Sequence, residues 1–195
     1  LVRRAFLDLT GLPPTPEEVG EFVADVRADA FERLVDRLMT QEPYRTRTAE
    51  RLAVPWLDSS RYADTCGIHM DAGRQTWLWR DWVLNAYREN MPFDRFITEQ
   101  LAGDMMPEAT DDQKIASGFN RNHVTTDEGG AIAEEYLVEY AVERTATTGS
   151  VFLGLTVGCA RCHDHKFDPV TQTDFYSMLS FFNSIEEPGL YSQLP

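Results

Sequence analysis

Glycine and proline divide this sequence into segments of helical length, and inside them the apolar residues recur at a spacing near 3.6 rather than 2. The expected fold is therefore all-α, mainly helical with long irregular loops, in a single compact domain over residues 1–195. Val2, Phe6 and Leu9 predict a first helix that ends at Gly11, before the Leu12-Pro13-Pro14 break. Thr15 then offers an N-cap, with Pro16 at the first helical position and Glu18 placed to complete a capping box. Val19, Phe22, Val23 and Val26 form the expected buried stripe of this second helix. Phe31, Leu34, Val35 and Leu38 continue the period in a third, which stops before Pro43. A fourth covers Tyr44 to about Leu57, kinked or ended by Pro55.

Arg61 to Arg74 lacks a clear period and reads as a long loop, a feature often tied to function. An aromatic helix follows, with Trp77, Trp79, Trp82 and Tyr87, and Pro92 opens another that ends near Gly103. The tryptophans form either core or the wall around a flat ligand, and core is the simpler reading. Asp111 or Asp112 caps a short helix to Gly118, Phe119 to Gly130 reads as loop, and Ala131 to about Thr147 as a strong helix. Gly149 to Gly158 carries β-branched residues and fits strand or helix. Gln172 to Asn183 closes with an apolar helix containing Phe175, Tyr176, Leu179, Phe181 and Phe182.

With 43% hydrophobic residues the chain has enough apolar material for a core. Its densest apolar run, Val151 to Val157, falls far short of the roughly 18 residues a spanning helix needs, so membrane insertion is excluded. The 32 acidic and 18 basic residues give a net charge of -14, which repels nucleic acid and anionic membrane surfaces. Residues 101–150 hold ten acidic and three basic residues, half of that net charge. This quarter is expected to form an acidic surface that orients a basic partner. The pattern enters an amphipathic segment directly at Leu1, so the chain reads as a piece of a longer, multidomain protein, with any signal peptide outside it.

Three cysteines are too few for a disulfide scaffold, but two of them stand in Cys159-Ala160-Arg161-Cys162-His163, the C-x-x-C-H arrangement of covalent haem attachment. The spacing has a mechanical cause. Two thiols form thioethers with the porphyrin vinyl groups, and the adjacent imidazole is carried beneath the iron as proximal ligand. Zinc competes, because Cys66-Gly67-Ile68-His69 together with Cys159 and Cys162 supplies three thiolates and one imidazole in two short-spaced pairs. A thioredoxin-like redox pair lacks the surrounding βαβ pattern. A disulfide, or plain packing near a turn, is the remaining alternative.

Longer runs around the motif are similar to a known family. Gly158-Cys159-Ala160-Arg161-Cys162-His163-Asp164-His165-Lys166-Phe167-Asp168-Pro169, with Gly118-Phe119-Asn120-Arg121-Asn122-His123 and Glu128-Gly129-Gly130-Ala131-Ile132-Ala133-Glu134-Glu135-Tyr136, resembles the DUF1549 family, the planctomycete cytochrome-type PSCyt2 domain. Phe6-Leu7-Asp8-Leu9-Thr10-Gly11-Leu12-Pro13-Pro14, Ser60-Arg61-Tyr62-Ala63-Asp64, Trp79-Arg80-Asp81-Trp82-Val83 and Glu99-Gln100-Leu101-Ala102-Gly103-Asp104 extend the resemblance over nearly the whole chain. The resemblance implies a periplasmic or otherwise extracytoplasmic bacterial protein. In it a DUF1553 region commonly follows and a separate cytochrome c domain is sometimes associated. Cys159, Cys162 and His163 match the haem-attachment signature. Cys66 and His69 stand where the family commonly has other residues, which weakens the zinc reading.

A six-coordinate electron-transfer haem needs a second axial ligand, whereas a five-coordinate one leaves a site for peroxide or a gas. His123, in the polar loop Asn120-Arg121-Asn122-His123, is the first candidate for that metal position, followed by Met70 or His69. Met105, Met106 and His165 rank below them, His165 because it lies two residues from His163. Arg161 and Lys166 are close enough in sequence to pair with haem propionates, which are costly to bury alone. Asp164, His165 and Asp168 bind a cation, hydrogen-bond a haem propionate through water, or fix the turn before Pro169, the turn being the simpler role. Glu135, Glu139 and Glu143, at i, i+4 and i+8, offer three carboxylates to a metal or a basic partner, but a solvated face is the simpler reading.

Three functions follow. The leading one is a c-type haem domain that exchanges electrons with a redox partner protein or cytochrome domain through its acidic surface. The second is a haem enzyme with an open sixth position, assisted by His123 or Arg121. The third is a zinc- or disulfide-stapled module that supports a neighbouring domain. Export would leave Cys66 a lone cysteine in an oxidising compartment.

Overall fold

α1 (Val2–Thr10) stops where Gly11 turns left-handed at φ 70°, its N–H bonding back to the Leu7 carbonyl. α2 (Pro16–Ala24) opens on the expected capping box: the Thr15 hydroxyl accepts the Glu18 N–H, and the Glu18 carboxylate accepts the Thr15 N–H. α3 (Ala30–Thr40) and α4 (Tyr44–Ser59) follow, then α5 (Trp77–Arg88), α6 (Phe93–Ala102) and α7 (Asp111–Ala116). α8 (Ala133–Thr148) and α9 (Gln172–Leu179) complete the helices. The computed structural model describes residues 1–68 and 71–191. Among them the chain is helical, with no strand beyond the isolated bridges Thr65–Gly73 and Gly67–Thr125. No helix among the described residues is long and apolar enough to cross a membrane.

The residues gather in two compact units. The first comprises Leu1–Trp56 and Asp81–Phe96. Its centre is Ala5, Phe6, Leu34 and Leu38, with Val2, Leu9, Phe22 and Tyr44 packed against them. Trp82 stacks on Phe96 with ring centres 5.5 Å apart, so this tryptophan is core. Two expectations change here. Of the predicted α2 stripe Phe22 packs on this core, while Val23 and Val26 are 72% and 95% exposed. A nine-residue helix covers one narrow strip of its neighbours, and Val26 already lies past its end. Pro55 neither ends nor interrupts α4, which runs on to Ser59. The carbonyl that loses its donor belongs to Arg51, an exposed residue, where water can serve instead.

The second unit comprises Leu57–Arg80 and the described residues from Ile97 onward. Trp79 is buried there between Tyr62 and Phe119, at 6.0 and 6.3 Å between ring centres. α7 is capped by Thr110, one residue before the expected Asp111, through a capping box with Gln113. The stretch after α8 is neither strand nor regular helix. It makes a π turn at Gly149–Leu153 and a 3₁₀ turn at Val157–Arg161. Val157, Ala160 and Phe175 form a core against Val142, Val170 and Leu179, which fixes the 3₁₀ turn between α8 and α9. α9 is shorter than expected, and Tyr176 and Phe181 are exposed.

Candidate functional site

The C-x-x-C-H motif lies on and just after the 3₁₀ turn Val157–Arg161. Ala160 is fully buried between the two cysteines, so the turn is pinned from below while Cys159 and Cys162 stay exposed as free thiols. The Arg161 carbonyl accepts from Gln172 Nε2 at 3.0 Å and from the Tyr176 hydroxyl at 3.1 Å, tying the turn to α9. His163 is exposed, with Nδ1 2.8 Å from the Asp164 carbonyl oxygen. A carbonyl only accepts, so Nδ1 carries a proton in this contact, and in the neutral ring Nε2 then has the lone pair with which imidazole binds a metal. The Asp164 carboxylate accepts the Gln172 N–H at 2.7 Å. His165 Nδ1 accepts the Asp168 N–H at 2.8 Å and lies 3.3 Å from an Asp168 carboxylate oxygen. Asp164 and His165 therefore fix the turn before Pro169.

The two cations near the motif already have neighbours. Arg161 forks onto Glu139 of α8, at 2.8 and 2.5 Å, and this hydrogen bonding holds the Glu139 carboxyl below its ordinary range. The Lys166 ammonium stands 5.1 Å over the Phe167 ring. Glu143 takes Arg61 and the Val124 N–H, the latter at 3.0 Å. The expected solvated row of carboxylates is thus reduced to Glu135, because Glu139 and Glu143 meet arginines 22 and 82 residues away.

His123 lies in a different environment. Its side chain is 1% exposed, its ring centre is 4.6 Å from that of Tyr140, and Arg144 approaches both ring nitrogens at 3.3 Å. Arg144 in turn forks onto Glu187 with both contacts at 2.6 Å. The Tyr191 hydroxyl donates to Glu187 at 2.8 Å, and the Tyr140 hydroxyl donates to the Gly189 carbonyl at 2.9 Å. Arg74 reaches in from the long loop and donates to the carbonyls of Asn122 and His123 at 3.1 and 2.8 Å. Burial first, then the Arg144 charge, push the His123 imidazole down to about 3, so it is neutral. Burial works to raise Glu187, but the Arg144 fork and the Tyr191 hydroxyl outweigh it and hold the carboxyl below its ordinary range. Burial and the neighbouring carboxylate push Tyr191 up to about 12.

The structure does not bring His123 to His163. Tyr140 and Arg144 face His123, while Val142 packs on the core beneath the motif and Ala146 on Gly158. Residues 140 and 142 point about 200° apart on a helix about 10–12 Å across, so α8 stands between the two histidines. Cys66 is on the His123 side, its carbonyl accepting the Thr125 N–H at 3.0 Å. The three cysteines are therefore not gathered. Among the described residues no group of three or more His, Cys, Asp and Glu side chains is arranged to hold a metal ion. His69 and Met70 lie outside the described residues. Met105 is exposed on the 3₁₀ turn after α6, and Met106 follows it. Sequence reasoning missed the Arg144–Glu187 pair, and its one signal was that Arg144 is among the three bases of the acidic quarter.

A family model described as PSCyt2, a protein of unknown function (DUF1549), matches residues 1–187. The chain belongs to the DUF1549 family. The DUF1549 match takes in both compact units, the motif turn and Glu187. No curated protein and no solved structure matches this DUF1549 chain.

Proposed function

We propose that this DUF1549 chain is a c-type haem module of an exported bacterial protein, attached through Cys159 and Cys162 with His163 as proximal ligand. The observation that carries the reading is the condition of the motif turn. Both thiols are exposed, Ala160 between them is buried, and the Asp164 carbonyl occupies His163 Nδ1, with no partner for Nε2 among the described residues. Bound there, haem would supply one-electron redox chemistry. The chain's own residues divide the remaining work. Asp164 orients the imidazole as an outer partner, a role that metal-ligating histidines regularly require. Gln172 and Tyr176 hold the peptide between the cysteines. Lys166 is exposed beside the motif and serves as a cation for a propionate, with Arg161 able to share its charge between that group and Glu139. The exposed acids Glu134 and Glu135 contribute to a surface that orients a basic redox partner. A DUF1553 region of the same protein is the expected neighbour. Zinc has less support, since Cys66 stands on the other side of α8 from the motif.

A second reading, a haem enzyme with an open sixth position, is favoured by the separation of His123 from His163. The two share one test. The protein is produced with a competent maturation system and its pyridine haemochrome spectrum recorded. Stoichiometric covalent haem supports the proposal, and colourless protein with both motif thiols still titratable ends it. In loaded protein, a low-spin six-coordinate spectrum supports electron transfer and a high-spin five-coordinate one supports catalysis.

A further inference from the structure

Residues 101–150 hold only three basic residues, and these are unevenly placed. Arg144 is taken up by Glu187. The other two, Lys114 and Arg121, line one cleft of about 550 Å³, a size suited to small molecules. The cleft is formed by the first turn of α5, by α7 and by the 3₁₀ turn Ser117–Arg121. Leu78, Ile115 and Ile185 give it apolar walls, and Asp104 is the single carboxylate in the lining. Lys114 makes a surface contact of 3.6 Å to Asp111, which is easily given up.

Two buried polar atoms of residues that line this cleft have no hydrogen-bond partner among the described residues: the Trp79 indole N–H and the Asn120 side-chain carbonyl oxygen. Trp79 is 2% exposed, and buried polar groups of this kind are nearly always bonded. Gly118 lets the 3₁₀ turn lie directly on the Trp79 side chain, which fixes the indole in place. The cleft therefore combines two cations with one donor and one acceptor left unbonded on residues of its lining.

We propose that this cleft binds a small hydroxylated organic carboxylate. Lys114 and Arg121 take the carboxylate, Asp104 and the Asn120 oxygen accept from hydroxyls, the Trp79 N–H donates, and Leu78, Ile115 and Ile185 cover the carbon skeleton. Asp104 repels a second negative charge, so a monoanion fits better than a dianion. Because both atoms are buried, the ligand reaches them by a small outward shift of the lining side chains.

The test is calorimetric titration of the purified protein at low salt with D-glucuronate and with 3-phenyllactate. Acetate and inorganic phosphate serve as probes that carry the charge alone. A hydroxy acid should bind, weaken as salt rises, and lose about tenfold in affinity in Lys114→Gln and again in Arg121→Gln. Both residues are exposed, so these variants keep their fold, which circular dichroism verifies, and Arg3→Gln, an exposed cation outside the cleft lining, should bind as the wild type does. Failure of both hydroxy acids, binding that survives the double variant, or equal binding of acetate and phosphate would each overturn the proposal. The Cys159→Ala/Cys162→Ala protein should bind unchanged, which keeps this result separate from the haem reading.

Discussion

Arg144 and Glu187 meet as a forked ion pair with both contacts at 2.6 Å and with side chains 3% and 2% exposed. Removing one partner of such a pair leaves the other charge buried and uncompensated. Glu187→Gln should therefore lower the unfolding free energy by about 3–5 kcal/mol. The change should appear as a shifted urea midpoint at unchanged slope. Arg144→Met with Glu187→Leu should cost less than the single change, because no buried charge survives. A single-variant cost below about 1 kcal/mol, the surface-pair range, would contradict the buried geometry.

The same cluster sets an acid sensitivity. His123 titrates near 3 in the folded chain, against about 6.5 when unfolded. Below 6.5 the unfolded chain takes up a proton that the folded chain refuses, so stability falls as pH drops from 6.5 toward 3. Glu187, held below its ordinary value, adds a loss in the same direction at the lower end of that window. From His123 alone, urea denaturation at pH 5 should give a stability about 2 kcal/mol below that at pH 7.5. His123→Gln should flatten the dependence between pH 5 and 6.5.

His123→Gln separates two roles for this ring. With α8 between it and the motif, the variant should leave the absorption and spin state of haem-loaded protein unchanged while lowering its melting temperature. Conversion from low to high spin would put His123 on the iron.

Thiol reactivity offers a check that needs no cofactor. Cys159 and Cys162 are exposed and Cys66 is half-buried. In reduced, unloaded protein an aromatic disulfide reagent should titrate two thiols quickly and the third slowly, and Cys159→Ala and Cys162→Ala should each remove one fast equivalent. In loaded protein the fast equivalents should be absent. Three equal rates would be inconsistent with this arrangement.

Gly189→Ala tests how closely the segment around Glu187 lies on α8. A Cβ at this position would fall on the Ala133 carbonyl oxygen, which is backbone and cannot swing aside. The expected cost is about 1–3 kcal/mol. It should be accompanied by faster hydrogen exchange at the Tyr191 amide, which donates to the Thr126 carbonyl in the intact chain.

Much of the fold was legible because it is locally encoded. The Thr15–Glu18 box, the Gly11 stop and the Leu34 and Leu38 stripe each follow from residues within a turn or two of one another. Val23 and Val26 misled because helical spacing reveals an apolar strip but not whether a neighbour covers it. The buried face of α8 escaped for the opposite reason, since Tyr140, Arg144, Thr145 and Thr148 make it polar and a search for apolar period passes over it. The motif was visible as a word in the sequence, whereas its exposure and the hold of Asp164 on His163 required the structure. Glu187 lies 43 residues from Arg144, a pairing that no spacing rule reaches.

α8 has one side committed to charges shut away from water and another to a surface turn bearing thiols. Among the described residues, side chains on these two sides share no partner and are separated by the width of the helix, which is the condition for energetic independence. Effects of substitutions at Glu187 and at Cys162 should therefore combine by simple addition in a double-mutant cycle. The helix acts as an insulating partition, so chemistry carried out on the thiol side can be altered without retuning what holds the other side shut.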